Sequence, residues 1–555
     1  MTWNDIAEAR RKLATEEGYI IKDWGGRLPV ALIYPHSYYV GMSSLGFQTL
    51  YDLLNAFPEI VCERVFALDR VARDLADAGS GRSSGGRGKA KGGSAGQAAT
   101  PISIESQRGL DEFAVAAFSI AFELDYFHIV DILRRSGLPL YAAERDERHP
   151  LVLAGGPAVT ANPEPLSPFV DAFVLGEVEP ILDELVQTLT VGVGGERDDL
   201  LKALAALPGV YVPSLFPSAA PAEAGQRPRI ERLCTPDLAD FATTSVVLTR
   251  ETELGDMYLI EISRGCGRGC RFCLAGYLYR PCRVRPVPSL LEQAKTGLQR
   301  RQRLGLVGAA VSDHPDIDLL VTELRRLGAE LSYSSLRLDR LSEPVLDSIL
   351  DSGTRTITLA PEAGSERMLR LVSKGINREQ VLSAADQVAS RGINKLKLYF
   401  MIGLPTETDE DVLAIADLAA AVKDKVDRHT GSSQVTINLN PFVPKAHTPF
   451  EREPVAEVSV LSSRMRLLQD NLRRRHIAVK SESPEWAVIQ GILSRGDRHL
   501  APVLAMVQDN TLSAWHRALK EAGLDRHVLA HQRFDDKAIL PWWFVDVGQQ
   551  RPAHG

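Results

Sequence analysis

The 555-residue sequence lacks an apolar run long enough to cross a bilayer, lacks an excess of basic charge and has only six cysteines. A membrane-spanning helix needs about 20 consecutive apolar residues, so no contact with a membrane is predicted. The N-terminal stretch is charged throughout and has no apolar signal segment, which favours the cytoplasm. Because thiols stay reduced there, clustered cysteines are expected to bind metal or do chemistry rather than form disulfides.

One segment lacks acidic residues and large apolar residues altogether. Residues 78–97 contain eight glycines, four serines and four basic residues. Such a composition cannot bury a core, so we interpret 78–100 as a disordered insertion within the first domain. Contact of its basic residues with RNA is the alternative to a solvated loop. The net charge of −7 gives no wider reason to expect nucleic-acid binding.

Around this insertion, short apolar runs such as PVALIY, FAVAAFSIAF and PLVLAGG alternate with helical patterns. Strands alternating with helices predict a parallel, doubly wound, Rossmann-like sheet, which we assign to residues 1–235. Glycine turns follow two of its strands, at Gly155–Gly156 and at Gly176. They are expected either to bind a ligand at the strand ends or to serve only as tight turns.

A second alternating series occupies residues 245–475. Its six predicted strands are YLIEI, GLVGAAV, AELSYSSLRL, TRTITLA, INKLKLYFMI and SQVTINLN. Six βα units in order predict a parallel sheet curved into a partial or complete barrel, with chemistry on the loops after the strands. Ser289 with Glu292, and Asn377 with Gln380, fit capping boxes at helix starts. The remainder, 476–555, is predicted to form a small C-terminal cap region.

Four cysteines lie within ISRGCGRGCRFCLAGYLYRPCR, residues 262–283, directly after the first strand of this series. Cys266, Cys270 and Cys273 form a C-x3-C-x2-C pattern. Thiolates bind iron–sulfur clusters, and three ligands would leave one metal position open, as a catalytic centre requires. A structural zinc site is the alternative and would need Cys282 as its fourth ligand. The neighbouring arginines Arg264, Arg268 and Arg271 can offset thiolate charge or lie in solvent.

The cysteine pattern and its position resemble the radical S-adenosylmethionine (SAM) superfamily. The resemblance implies a [4Fe-4S] cluster held by Cys266, Cys270 and Cys273, with SAM bound to the fourth iron. It also implies reductive cleavage of SAM to methionine and a 5′-deoxyadenosyl radical that abstracts hydrogen from a substrate. By the same resemblance, the second series is a (βα)6 partial TIM barrel, and a low-potential donor such as a flavodoxin or ferredoxin supplies the electron.

Further SAM contacts follow from the resemblance to the methylthiotransferase-like branch of that superfamily. Phe272 would pack near the adenine, and Glu362, within TITLAPEAGSERM, would reach the ribose hydroxyls. The alternative for Glu362 is to cap the next helix. The backbone at Ile402 and Gly403 would meet the adenine. Ser312 and Asp313 stand where many relatives have a glycine-rich motif, from which this sequence departs.

The first domain resembles the cobalamin-binding arrangement of B12-binding-type radical SAM proteins, a resemblance that spans nearly the whole chain. His36 stands near the place of a cobalt-binding histidine, but the D-x-H-x2-G motif is absent, so a hydrogen-bonding role is favoured. Cobalamin without a histidine ligand stays an alternative. A small radical-SAM-linked protein is an expected partner, because relatives are often encoded beside one.

The sequence therefore predicts a radical SAM enzyme that performs hydrogen abstraction or radical methyl transfer on an unknown substrate. An RNA-modifying methylthiotransferase-like enzyme is one alternative. It would need a second cysteine-ligated cluster, for which only Cys62, Cys234 and Cys282 remain. The other alternative is a non-catalytic iron–sulfur or zinc-stabilised scaffold or electron-transfer protein. The basic run Arg280, Arg283 and Arg285 is expected to be exposed, or else to face a phosphate-bearing substrate.

Overall fold

The computed structural model describes residues 2–68, 100–216 and 229–548, which form a mixed α/β structure built on parallel sheets. This confirms the predicted fold class at that level. The Gly/Ser-rich segment 78–97 and most of the link after residue 216 lie outside the described ranges. No helix in the described ranges is long and apolar enough to cross a membrane.

The N-terminal sheet has six strands in the order β2-β1-β3-β4-β5-β6, and 2-1-3-4-5 is a doubly wound order. Strands β1 to β5 are parallel, and β6 pairs antiparallel with β5. The strands are β1 (Leu28–Tyr34), β2 (Ile60–Phe66), β3 (Val115–Ser119), β4 (Leu151–Gly155), β5 (Ala172–Val174) and β6 (Val210–Tyr211). The helices are α1 (Trp3–Ala14), α2 (Tyr38–Gly41), α3 (Leu45–Ala56), α4 (Tyr126–Arg135), α5 (Pro157–Ala161), α6 (Leu182–Gly192) and α7 (Arg197–Ala205).

Both faces of this sheet are covered. Successive side chains of a strand point to opposite faces, and in β1 Val30 and Leu32 pack with α3 and α6. Ala31 and Ile33 pack on the other side with α4. Burial on two sides explains why strands such as β1, β3 and β4 are near-continuous apolar runs rather than alternating ones.

The second half of the chain contains two parallel sheets, ordered β12-β11-β8 and β13-β14-β15-β16. Each of the six predicted segments overlaps one of their strands. The strands are β7 (Ile230–Glu231), β8 (Tyr258–Glu261), β9 (Ser263–Arg264), β10 (Arg283–Val284), β11 (Arg303–Val307), β12 (Glu330–Tyr333), β13 (Thr356–Glu362), β14 (Lys395–Ile402), β15 (Gln434–Pro441), β16 (Ala478–Ser481) and β17 (Val545–Asp546). Strand β16 extends the second sheet, although none of its four residues is buried and they carry no apolar pattern that predicts it.

Eight helices cover this half and four more follow. They are α8 (Ala275–Leu278), α9 (Val287–Leu298), α10 (Ile317–Arg326), α11 (Glu343–Asp351), α12 (Glu366–Val372), α13 (Arg378–Ala389), α14 (Asp409–Thr430), α15 (Val458–Arg473), α16 (Pro484–Arg495), α17 (Ala501–Met506), α18 (Leu512–Glu521) and α19 (Arg526–His531). The capping box of Asn377 and Gln380 is confirmed. The one predicted at Ser289 is wrong, because α9 begins earlier, at Val287, with a proline tolerated in its first turn.

Strands β13 to β15 bury one face and leave the other open. In β14, Leu396 and Leu398 lie in the core beneath the helices, whereas the alternate residues Lys397 and Tyr399 are not buried. Thr358, Lys397 and Thr436 are direct neighbours across three strands on this open face. The alternation therefore gives the sheet an apolar back and a polar front.

The C-terminal segment packs into the core of the N-terminal sheet. Phe127 of α4 meets Trp486 and Trp515 with ring centroids 6.3 and 5.5 Å apart. All three belong to one buried cluster with residues of β1 and β3. Strand β17 also pairs in parallel with β7, the first strand of the second half.

Candidate functional site

The cysteine segment is a loop closed at its base by a short ribbon. Strands β9 and β10 pair antiparallel on either side of residues 265–282, with Arg264 directly opposite Arg283. Gly265 enters the loop with φ +82°, and a Cβ there would lie 2.0 Å from the Tyr279 carbonyl oxygen. Only glycine permits this close approach, so the residue fixes the tight return of the loop on itself.

The loop separates its cysteines into two groups. Cys266, Cys270 and Cys273 line a cavity of about 630 Å³ together with Phe272 and Glu362. Cys282 instead lines a different cavity of about 550 Å³ with Cys234. All six cysteines of the chain are free thiols. The three predicted cluster ligands therefore share a space that the fourth cysteine of the loop does not enter.

Burial disfavours the charged form of two of the three thiols. Burial raises the pKa of Cys270 to about 11 and also raises the pKa of Cys273. A bound cationic metal centre is what stabilises such buried groups as thiolates. No three histidine, cysteine or acidic side chains of the described ranges converge on one metal-ion position. In a four-iron cluster each thiolate binds a different iron, so this convergence is not required.

Two cations lie beside the cysteines. Burial and the neighbouring Cys273 raise the pKa of Cys270. The positive charges of Lys374 and Arg337 lower it, but by less. Both residues line the cavity. Arg337 is itself buried and donates to the Lys374 carbonyl oxygen at 3.1 Å. This side of the cavity therefore favours anionic groups.

Glu362 faces the same cavity from the end of β13. Its backbone has φ +72°, at a break in register between β13 and β14. Its carboxylate accepts from Lys374 Nζ at 2.7 Å. Helix α12 is capped by Ser365, whose Oγ accepts from the Met368 N–H at 3.2 Å. Glu362 is thus not the helix cap, and its carboxylate remains in the cavity.

Four other predicted SAM contacts lie outside that cavity. The Ser312 hydroxyl accepts from the Arg337 N–H at 2.9 Å. Asp313 accepts from Arg268 at 2.9 and 2.8 Å; burial opposes its charge, but Arg268 keeps the pKa of the carboxyl below its usual value. The Ile402 carbonyl accepts from the Phe442 N–H, and the Gly403 N–H donates to Glu407. Their roles toward SAM stay predictions.

The arginines near the loop differ from the prediction in which of them are exposed and which are buried. Arg271 is exposed, whereas Arg283 and Arg285 are buried and paired with Glu177 and Glu261. The predicted exposure of the basic run is therefore wrong for these two residues. Their carboxylate partners come from other parts of the chain, which a local pattern of basic residues does not reveal.

Several cavity residues were missed from the sequence. Thr356 and Thr358 of β13 and Tyr399 of β14 line the cavity with the cysteines. Ile357 and Leu359, between and after the threonines, are buried in the core. Polar residues at every second position of TRTITLA were the available signal, because they mark the side of the strand that faces away from the helices.

A third cavity, of about 530 Å³, lies against the N-terminal sheet. It is lined mostly by apolar residues of β1, β3, α3 and α6, and it extends to Gly265 of the cysteine loop and to Ala309 after β11. Gly156 and Gly176 line it with φ near +105° and +103°, and each passes so close to another backbone that a Cβ would clash. These glycines thus both shape tight turns and border a cavity.

His36 does not line this third cavity. Its Nδ1 accepts from the Ser37 N–H at 2.8 Å, and its ring meets the ring of His128 edge-on at 5.4 Å. Among the described residues that line the cavity there is no histidine. The cavity therefore offers apolar surface, backbone groups and, toward the cysteine loop, charged side chains rather than an imidazole ligand; these side chains are Glu177, Glu179, Glu261 and Arg264.

Comparison with known proteins finds family models that match part of each half of the chain. The family model for the radical SAM superfamily matches residues 260–419, and the model for the N-terminal region of radical SAM proteins matches 93–213. An uncharacterized protein of Methanocaldococcus jannaschii is 31% identical over 441 residues, which cover 79% of this chain and 89% of that protein.

Two further similarities cover different extents. A tRNA-2-methylthio-N(6)-dimethylallyladenosine synthase of Pseudothermotoga lettingae is 26% identical over 174 residues, 29% of this chain and 39% of that enzyme. The structure of the cobalamin-dependent SAM radical enzyme OxsB aligns with a TM-score of 0.48 and 12% identity over 90% of this chain and 71% of that one. On the two family models and the relative from Methanocaldococcus jannaschii, the chain belongs to the radical SAM superfamily.

Proposed function

We propose that the protein is an enzyme that binds a [4Fe-4S] cluster through Cys266, Cys270 and Cys273 and cleaves SAM reductively. The supporting observation is the single cavity that holds these three thiols together with Glu362 and Phe272. When bound, the cluster supplies one electron that breaks a carbon–sulfur bond of SAM, giving methionine and a 5′-deoxyadenosyl radical. The radical would then serve for hydrogen abstraction from, or methyl transfer to, a substrate at the same cavity.

The chain's own residues would bind and orient SAM and the cluster. The Glu362 carboxylate can accept hydrogen bonds from two ribose hydroxyls, and Lys374 holds that carboxylate in place. Phe272 offers an apolar surface for adenine packing. Lys374 and Arg337 place positive charge beside Cys270, where an anionic cluster would sit. The backbone at Ile402 and Gly403 would meet the adenine, with the Gly403 N–H already donated to Glu407.

The substrate would approach along the open face of β13 to β15. Thr358, Lys397 and Asn438 lie on this polar face next to the cavity wall. The buried back of the same strands keeps the site rigid, which suits a reaction in which a radical must be held close to one hydrogen atom. Exclusion of water by a bound substrate would protect that radical.

A specific observation favours cobalamin as a second cofactor. The apolar cavity of the N-terminal sheet extends to Gly265, so a ligand in it would lie beside the cluster loop. The aromatic base at the end of the cobalamin nucleotide tail would match an apolar cavity bordered by glycine turns at strand ends, the usual ligand position in doubly wound sheets. It would bind without a histidine ligand. Bound cobalamin would supply a methyl carrier for radical methyl transfer.

A methylthiotransferase-like RNA-modifying activity is the weaker enzyme candidate. The named relative of that type covers 29% of this chain. A second cluster would have to use Cys62, Cys234 and Cys282, but Cys62 is buried in β2 of the N-terminal sheet, and only the other two share a cavity. The remaining thiols therefore do not support a second three-cysteine site.

The deciding experiment is anaerobic reconstitution followed by iron, sulfide and zinc analysis and a SAM-cleavage assay. We expect about four irons per chain and formation of 5′-deoxyadenosine when a low-potential reductant, or a flavodoxin or ferredoxin, is added. A four-iron protein that never forms 5′-deoxyadenosine would support the electron-transfer alternative. Tightly bound zinc that is lost on replacing Cys282 would support the scaffold. Co-purification with a radical-SAM-linked protein would test the expected partner.

A further inference from the structure

The ribbon that closes the cysteine loop contains an unfavourable pair. Arg264 and Arg283 are directly opposite in the antiparallel ladder of β9 and β10. Like charges in that position destabilise a strand pair, and the cost grows when the side chains leave water. The side chains of Arg264 and Arg283 are only 14% and 8% exposed. The ribbon therefore needs a buried anion to form.

Glu177 provides that anion from the other half of the protein. It follows β5 in the N-terminal sheet, and its side chain is 4% exposed. Its Oε1 accepts from Arg283 at 2.7 Å, and its Oε2 accepts from Arg283 at 2.9 Å and from Arg264 at 3.0 Å. The Thr235 N–H donates to the same carboxylate at 3.0 Å. One carboxylate thus joins both strands of the ribbon.

The surrounding acids do not duplicate this role. Glu179 accepts from Arg264 at 2.7 Å, and Glu261 accepts from Arg264 and from Arg285. Among the described residues, Arg283 has an ion pair with Glu177 alone. Without Glu177, Arg264 keeps two carboxylates while Arg283 keeps none, and a buried charge without a partner is strongly destabilising.

We propose that Glu177 is a positioning residue for the metal site, because it holds the two ends of loop 265–282 together. This inference rests on the proposed function of Cys266, Cys270 and Cys273 as cluster ligands. Glu177 touches none of these cysteines and acts through Arg264, which is separated from Cys266 by one residue. Through Glu177, which also lines the cavity of the N-terminal sheet, that sheet is therefore part of the cluster site.

The test compares Glu177→Gln with the double variant E177Q/R283Q in the full-length chain. Gln keeps the shape of Glu177 but removes its charge, and the second change removes the arginine left without a carboxylate. We measure iron content, the electron paramagnetic resonance spectrum of the reduced cluster with and without SAM, and SAM affinity. The single variant should bind SAM about tenfold or more weakly, and the double variant should recover most of that loss.

Glu123→Gln is the matched control. Glu123 is also buried, and it joins the N-terminal sheet to Lys445 at 2.6 Å, but it lines none of the three cavities described above. We expect it to lower thermal stability while leaving the spectrum and SAM affinity of the reconstituted protein unchanged. Wild-type SAM affinity and spectrum in Glu177→Gln would overturn the proposal, and so would a double variant no better than the single one.

A separate measurement distinguishes this inference from the proposed function. If the wild-type protein forms no four-iron cluster, the proposed function fails, and the ribbon is then tested without metal. Hydrogen exchange of the amides in 265–282 should be about tenfold faster in Glu177→Gln than in the wild type or in the Glu123 variant. Equal exchange rates in all three would overturn the role of Glu177 independently of any cluster.

Discussion

Lys374 Nζ lies 2.7 Å from Glu362 Oε1 and 2.6 Å from the carbonyl oxygen of Ala360, so one ammonium group fixes both the side chain of Glu362 and the strand that carries it. The Glu362 backbone is left-handed at this point, an uncommon conformation for a residue with a side chain. The pair explains how an acidic residue remains directed into the cavity beside the cysteines.

Replacing Glu362 with Gln should weaken SAM binding by about 10- to 100-fold, because charge-assisted hydrogen bonds to ribose would become neutral ones. Replacing Lys374 with Met should have an effect of the same direction, since Glu362 would lose its anchor. Anaerobic calorimetry measures both. Glu366→Gln, an exposed residue four positions along, is the control. Unchanged affinity in Glu362→Gln would exclude the ribose contact.

Each of the variants Cys266→Ala, Cys270→Ala and Cys273→Ala should lose most of its iron and all detectable 5′-deoxyadenosine formation. Loss of groups that merely support metal ligands lowers metal affinity or activity by about 10- to 100-fold. Loss of a ligand itself should therefore lower them by more than about 100-fold. Cys282→Ala should keep its iron content, because Cys282 lines a different cavity. Loss of the cluster from the Cys282 variant would show that the ligand set is misassigned.

Cobalamin binding is expected to change the absorbance spectrum of added cobalamin at micromolar protein. Ala117→Phe should weaken that binding about tenfold or more, because Ala117 of β3 lines the N-terminal cavity and a phenyl ring would fill part of it. His36→Ala should bind as the wild type does, since His36 does not line the cavity. A wild-type protein that leaves the spectrum unchanged would contradict the assignment.

The Glu177 pairings predict a specific acid sensitivity. Burial opposes the charge of Glu177, but Arg283 and Arg264 outweigh it and hold the pKa of the carboxyl below the ordinary value of 4.5. The folded state therefore binds this proton less tightly than the unfolded state, and the charge stabilises folding above that pH. The difference in urea midpoint between wild type and Glu177→Gln should shrink as pH falls below about 4.5. A difference independent of pH would argue against ionised Glu177.

Trp515→Ala should destabilise the N-terminal half of the molecule, although Trp515 lies in the C-terminal segment. The side chain is buried and packs edge-on against Phe127 of α4. Truncation of a buried Trp costs about 3–5 kcal/mol in the free energy of unfolding, measured by denaturant titration. Trp3→Ala removes a 73% exposed ring and should change stability by less than about 0.5 kcal/mol.

Local patterns were sufficient to predict the alternating strands, the parallel class and the cysteine loop. The burial of β1 and β14 can be predicted from the apolar residues of the strands themselves. The C-x3-C-x2-C spacing likewise lies within one loop. The partners of Glu177 lie 87 and 106 positions along the chain, so no window of sequence contains the network. In the sequence, Arg283 and Arg285 are therefore predicted to be solvated, because their carboxylate partners become neighbours only in the folded structure.

The shared core of the N-terminal sheet and the C-terminal segment has a consequence for how the chain is made. Residues of β1 and β3 emerge from the ribosome long before α16 and α18, which cover them. At about 5–20 residues per second, the roughly 364 residues between the end of β3 and the start of α16 take about 18–73 s to translate. Through that interval the nascent N-terminal sheet carries an uncovered apolar surface, so chaperone capture during synthesis is expected to determine the yield of folded protein.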